Sequence, residues 1–172
     1  MSTISSDILS WYAVRTFSRA EKRVVERLHN KGIEAYVPLR VEKRKWSDRI
    51  KLVETPLITC YVFVRVNAAR MIDVLRTQGV VGYVREGSVP VVIPDRQMND
   101  FIRSVDSVPH SVEFTTSELK AGEPIIVTRG PLSGMKGEMV EYANGHKLII
   151  RLNSIGCATV EIDVENIERQ QS

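Results

Sequence analysis

The sequence predicts an α+β protein in two parts: an N-terminal α/β sandwich, with helices on a mostly antiparallel sheet, followed by a small C-terminal five-stranded β-barrel. Three observations carry this. Strand-like and helix-like periods alternate through about residue 105, after which only short β-prone runs separated by turns remain. Between the two regimes, residues 107–121 hold Pro109 and a Ser/Thr cluster with no period, which reads as a linker. Charge divides at the same place: residues 1–108 carry 18 Lys and Arg against 12 Asp and Glu, whereas residues 109–172 carry 6 against 9. The first part is therefore suited to an anionic partner and the second is not. Domains at 8–106 and 122–170, joined by a linker at 107–121, follow from these breaks.

In the first part, Trp11–Phe17 is aromatic and β-branched, and reads as a strand. Ser18-Arg19-Ala20-Glu21 has the S-x-x-E form of a capping box, in which Glu21 reaches back to the Ser18 amide. Ala20, Val24 and Leu28 then give the helix one apolar face, and Asn30-Lys31-Gly32 stops it. Ile33–Leu39 reads as a second strand. Residues 40–51 hold Arg40, Lys43, Arg44, Lys45, Arg49 and Lys51 against Glu42 and Asp48, with Trp46 in their midst, as an exposed hairpin or loop. Such a segment is either a solvated connection or a nucleic-acid arm, because closely spaced Lys and Arg neutralise phosphates and release counterions. Trp46 in turn either stacks on a base or caps the hairpin.

Pro56–Val66 is the most β-prone stretch, and its near-continuous apolar character marks a central strand. Ala68–Gln78 predicts a helix with Ile72 and Leu75 inward, ended by Gly79. Val80–Arg85 is another strand, Glu86-Gly87-Ser88 a turn and Val91–Ile93 a short apolar segment. Pro94-Asp95 then opens a helix with Met98, Phe101, Ile102 and Val105 on one face.

The second part opens at Gly122–Val140: a strand, a tight turn at Gly130-Pro131, a loop and another strand. Gly134 and Gly137 fall where the backbone needs positive φ or close approach. Its strands are Ile125–Thr128, Glu138–Tyr142, Lys147–Leu152, Cys157–Ile162 and a closing Val164–Ile167, with Asn144-Gly145 as a hairpin signal.

Several classes are set aside. No run of about 18 apolar residues is present, so no membrane span is expected. The N-terminus lacks the basic-then-apolar order of a secretory signal, so a cytoplasmic protein is expected. Cys60 and Cys157 have neither metal nor redox spacing and read as two buried thiols. His29, His110 and His146 are scattered, and no phosphate loop or metal spacing occurs. No catalytic residue, metal or cofactor is expected, and the chain does not read as an enzyme.

With these residues in hand, the chain resembles the NusG family of transcription elongation factors, whose members carry an NGN domain, a linker and an SH3-like KOW barrel. The resemblance rests on Trp11-Tyr12, Tyr36-Val37-Pro38 and Pro56-Leu57 leading to Tyr61-Val62-Phe63-Val64. In the second part it rests on Gly122-Glu123, Gly130-Pro131, Gly137 and Ala158-Thr159-Val160-Glu161. It covers about residues 10–168, and the Pro56–Val64 form and charged arm are most like the specialised UpxY, LoaP and RfaH paralogues.

The resemblance implies an operon-specific antiterminator, such as those of capsular polysaccharide genes. It would bind RNA polymerase at the clamp coiled coil of the largest subunit through Ile58, Tyr61, Phe63, Tyr83, Met98 and Phe101. It implies that Arg15, Arg19, Lys22, Arg23 and Arg76 face the non-target DNA strand, joined by Lys43, Arg44 and Lys45 of the arm. Gly130, Gly134 and Gly137 would be the KOW motif, and Ile155 the tip that binds a partner such as a ribosomal protein. A monomer is implied. Thr59-Cys60-Tyr61 departs from the proline-bearing turn that the family usually has. The alternatives are an RNA-binding or ribosome-associated KOW protein, or a general factor supporting Rho-dependent termination. The acidic second part favours a protein partner for the barrel over RNA.

Overall fold

A computed structural model describes residues 7–171. The chain folds into two compact units: residues 7–38, 58–95 and 153–155 form the first, and 39–57, 96–152 and 156–171 the second.

In the first unit, β1 (Ser10–Thr16), β2 (Glu34–Tyr36), β5 (Tyr61–Val66) and β6 (Val80–Tyr83) form an antiparallel sheet in the order β2-β5-β1-β6. The short β9 (Val92–Ile93) also pairs with β1. Helices α1 (Glu21–Asn30) and α2 (Met71–Leu75) belong to this unit, and a small hairpin joins β7 (Arg85–Glu86) to β8 (Val89–Pro90). Strand alternation sorts the side chains into two faces. Val14, Val62, Val64 and Val66 pack with Val24 and Leu28 of α1 and Val74 of α2. Trp11, Ala13 and Phe63 take the other face and are also buried.

Two local expectations are corrected here. The capping box does not form: Ala20 is the N-cap, with no side-chain cap, and Glu21 turns into the fold instead. Ile72 and Leu75 are exposed, while Val74 points inward. The physical reason is that residues 68–70 form a 3₁₀ turn, capped by the Asn67 side chain accepting from Arg70 N–H at 3.1 Å. The α-helix therefore starts only at Met71, and the phase of the apolar positions moves with it.

The second unit contains the arm, a hairpin of β3 (Leu39–Lys45) and β4 (Ile50–Pro56). It also contains α3 (Asp95–Ser107) from Arg96 onward and a six-stranded antiparallel sheet. That sheet runs β10-β14-β13-β12-β11-β15, from β10 (Val112–Thr115), β11 (Glu123–Val127), β12 (Lys136–Tyr142), β13 (Gly145–Leu152), β14 (Gly156–Ile162) and β15 (Ile167–Arg169). Its core holds Val112, Ile125, Val127, Met139, Leu148, Leu152 and Val160. The sixth strand comes from the stretch read as a linker: β10 pairs with β14, Val112 opposite Val160 and Phe114 opposite Ala158. Segment 164–167 is a 3₁₀ turn at Val164–Asn166, and the last strand begins at Ile167.

Arg151 ties the start of the sheet down. Its guanidinium donates to Glu138 Oε2 at 2.6 Å and to the carbonyls of Leu119 and Lys120 at 3.1 and 3.2 Å. Glu138 also accepts the Gly122 N–H at 3.0 Å.

Candidate functional site

The residues assigned to polymerase binding fall in both units. In the first, Tyr61 lies at the start of β5, opposite Arg15 on β1, and is half-buried. Phe63 is buried opposite Ala13, and Ile58 is buried in the turn that leads to β5. Tyr83 belongs to the core of the sheet: its hydroxyl donates to the Met71 carbonyl at 2.8 Å, and Tyr12 meets its ring edge-on at 5.6 Å. Burial first, and Tyr12 second, push the Tyr83 phenol well above its ordinary range, so it is a neutral donor at any physiological pH. In the second unit, Met98 and Phe101 of α3 are fully buried, Phe101 with its ring centroid 6.2 Å from that of Phe114 on β10. Arg103, on the same helix, donates to the carbonyls of Pro131 and Ser133 at 3.1 and 2.7 Å. Tyr61 is the one member of the set that is not buried.

What positions Tyr61 is a device the sequence did not disclose. The preceding residue, Cys60, sits in the left-handed region at φ 64°, where a residue with a Cβ is strained. Both its backbone groups are held. Its N–H donates to Glu21 Oε1 at 2.7 Å, and its carbonyl accepts from Thr16 N–H at 2.9 Å. Glu21 is buried to do this, which is why it does not cap its own helix. Cys60 is half-buried rather than a core thiol, whereas Cys157 is buried.

The residues assigned to DNA also divide. Arg15, Arg19, Lys22, Arg23 and Arg76, in the first unit, are all exposed. Arg15, Arg19, Arg23 and Arg76 have no ion-pair partner among the described residues, so their charge is directed to solvent. Arg19 stands at φ 63° in the turn before α1. Lys43, Arg44 and Lys45 are exposed on the arm in the second unit.

In the second unit, Gly134 adopts φ 89°, and a Cβ on Gly137 would stand 2.6 Å from Leu148 Cδ1 and 3.2 Å from the Ile149 carbonyl. One glycine thus serves backbone conformation and the other close approach. Ile155, in the segment 153–155 that belongs to the first unit, is half-buried in the connection after β13. The structure adds an open cleft of about 1040 Å³ lined by Tyr142, Asn144, His146, Lys147, Glu161 and Asp163, among others. Lys147 spans this region, donating to Glu113 at 2.8 Å with its ammonium 5.0 Å from the Tyr142 ring centroid. Among the described residues no helix is long and apolar enough to cross a membrane, and no group of His, Cys, Asp and Glu is placed to hold a metal.

An antiparallel sheet with α1 and α2 on one face, together with a strand-rich second unit, is an α+β arrangement. The sequence model of the family described as "Transcription termination factor nusG" matches residues 9–102, more than half of the chain. The chain belongs to the NusG family, whose members are transcription factors and not enzymes. The transcription termination/antitermination protein NusG of Borreliella burgdorferi is 24% identical over 183 residues, covering 93% of this chain and 98% of that one. Its namesake from Rickettsia conorii is 24% identical over 187 residues, covering 98% and 94% respectively. Among solved structures, "Domain interaction in Thermotoga maritima NusG" superimposes with a TM-score of 0.52 at 22% identity, covering 95% of this chain and 98% of that one. That likeness supports the fold.

Proposed function

We propose that this chain binds elongating RNA polymerase at the clamp coiled coil of its largest subunit and suppresses pausing and termination. It acts as an operon-specific antiterminator of the UpxY, LoaP and RfaH kind, in the cytoplasm and as a monomer. The observation that carries the reading is the pairing of Tyr61 with Arg15 on adjacent strands of the family's own domain. A half-buried aromatic suited to a protein contact lies beside an exposed cation suited to a phosphate. In this reading Tyr61 is the contact residue of the set, and Ile58, Phe63, Tyr83, Met98 and Phe101 contribute as packing residues of their own units. Arg15, Arg19, Lys22, Arg23 and Arg76 track the non-target DNA strand, with the arm's Lys43, Arg44 and Lys45 as further phosphate contacts. The functional domains are 8–106, an NGN domain, and 122–170, a KOW domain carrying Gly130, Gly134 and Gly137. The second recruits a protein partner, such as a ribosomal protein, through Ile155.

A pull-down with core polymerase tests the docking. Tyr61→Glu is expected to lose retention at least tenfold while its circular dichroism matches wild type. Equal retention of the two proteins refutes the surface. A second reading, a general factor that supports termination, is favoured by the names of the relatives at 24% identity. An in vitro run-off assay across a terminator separates the two: readthrough that rises with added protein supports antitermination, and readthrough that falls supports the general factor.

A further inference from the structure

We infer that the arm binds single-stranded nucleic acid by stacking an unpaired base on Trp46, with Arg44, Arg49 and Lys51 taking the adjacent phosphates. This deepens the nucleic-acid reading proposed above and rests on it. The hairpin register pairs Arg44 with Lys51, Lys43 with Leu52 and Lys45 with Ile50. Trp46 N–H donates to the Arg49 carbonyl at 2.8 Å, which extends the ladder by one pair and leaves Ser47 and Asp48 as the tip. Because successive side chains alternate, Arg44, Trp46, Arg49 and Lys51 share one face. The apolar Ile50 and Leu52 lie on the other, flanked by Lys43 and Lys45.

This arrangement does not serve the hairpin itself. Arg44 opposite Lys51 is a like-charge cross-strand pair, which destabilises the ladder. The nearest carboxylate to Arg44 is that of Glu42 at 3.9 Å, with the two side chains 58% and 42% exposed, a contact that contributes little in water. Arg49 and Lys51 have no ion-pair partner among the described residues. A tryptophan that capped the hairpin would be covered by apolar neighbours, yet its register partner is Arg49. Trp46 is 56% exposed, and its ring makes no aromatic or cation–π contact among the described residues. An exposed indole that shares one face of the hairpin with three cations suits a ligand that is aromatic and polyanionic together. A duplex keeps both faces of its bases stacked, so the ligand is a single strand. An acidic protein would satisfy the cations but leave the indole without a role.

The test uses the full chain with fluorescein-labelled 12-nucleotide oligo-dT and oligo-rU and a 12-base-pair duplex, read by anisotropy and by tryptophan emission. The other tryptophan, Trp11, is 4% exposed, so quenching of red-shifted emission reports Trp46. Single strands are expected to quench it and to bind more tightly than the duplex, and the better of the two oligonucleotides identifies DNA or RNA as the source. Trp46→Ala is expected to weaken binding about 5- to 150-fold, and Trp46→Phe to restore most of it. Arg44→Ala/Lys51→Ala is expected to lower the slope of log affinity against log salt by about 1.4. The inference is overturned if Trp46→Ala binds as wild type does, if Trp46→Phe fails as alanine does, or if the duplex is preferred. If wild type shows no salt-dependent binding to any of the three probes, the broader nucleic-acid reading falls as well. Binding that survives Trp46→Ala but weakens in Arg15→Ala/Arg19→Ala/Arg23→Ala leaves that reading standing and removes the stacking.

Discussion

The contact between Glu21 and Cys60 makes the sharpest prediction. Glu21 is 4% exposed and accepts the Cys60 N–H at 2.7 Å, while Cys60 is held at φ 64°. A hydrogen bond to an ionised acceptor contributes roughly 1.5–3 kcal/mol, and the donor is left without a partner when the carboxylate is removed. Glu21→Ala should therefore destabilise the first unit by about 2–3 kcal/mol, lowering its melting temperature by about 10 °C or more, as for a domain of roughly 60–100 residues. Cys60→Gly should act in the opposite direction. A left-handed residue with a Cβ costs about 1–2 kcal/mol, and glycine gives back about 0.5–1 through its freedom in the unfolded chain. A net gain of about 0.5–1 kcal/mol remains. The Glu21→Ala penalty should persist in the Cys60→Gly background, because glycine keeps the N–H that Glu21 accepts. Chemical denaturation of the four proteins, followed by circular dichroism, measures the cycle. A Glu21→Ala effect below about 0.5 kcal/mol in either background would refute the reasoning. Tyr61 follows Cys60 directly, so polymerase retention by Glu21→Ala should fall along with stability.

Three other outcomes are expected. Gly137→Ala places a Cβ 2.6 Å from Leu148 Cδ1, and this overpacking should cost about 1–3 kcal/mol in thermal denaturation, outweighing the usual gain from replacing glycine. Glu138 is held below its ordinary value of 4.5, first by the hydrogen bond from the Arg151 guanidinium and then by the Gly122 N–H. At pH values where the unfolded chain begins to protonate this carboxylate, the native protein keeps it ionised. Its stabilisation is thus complete above about pH 4.5 and is lost as pH falls through the depressed native value, so Glu138→Gln should flatten that acid limb. Val112→Ala should destabilise the second unit by about 1–3 kcal/mol, because Val112 is 1% exposed in β10; a true linker residue would change stability by less than about 0.5.

Much of the fold was legible because burial leaves a period in the sequence. Val24 and Leu28 marked the inner face of α1, and Met98, Phe101 and Val105 that of α3, since a helix with one buried side must repeat its apolar residues every three or four positions. Gly134 was legible because a left-handed turn excludes most side chains. Strand β10 was missed although Val112 and Phe114 alternate with Glu113 and Thr115. Four residues among serines and threonines are too short a signal until β14 is there to pair with them. The phase error in α2 has a related cause: a 3₁₀ turn of three residues shifts the helix register, and its local pattern does not announce it.

The sequence by itself determined the α+β class, the division of charge along the chain, most of the strands and helices, and the residues by which the chain resembles its family. These follow from local rules of period, turn chemistry and composition, each satisfied within a few neighbouring residues. Only the tertiary structure decided which apolar residues reach the surface and which are core, because burial depends on what other elements cover: Tyr61 is half-buried, and Tyr83, which read the same way, is buried. Only the tertiary structure joined Glu21 to Cys60 across 39 positions, turning an expected helix cap into the brace of a strained turn. It also set Arg44, Trp46, Arg49 and Lys51 on one face of the arm. Strand register is a property of the pair, and neither strand carries it alone.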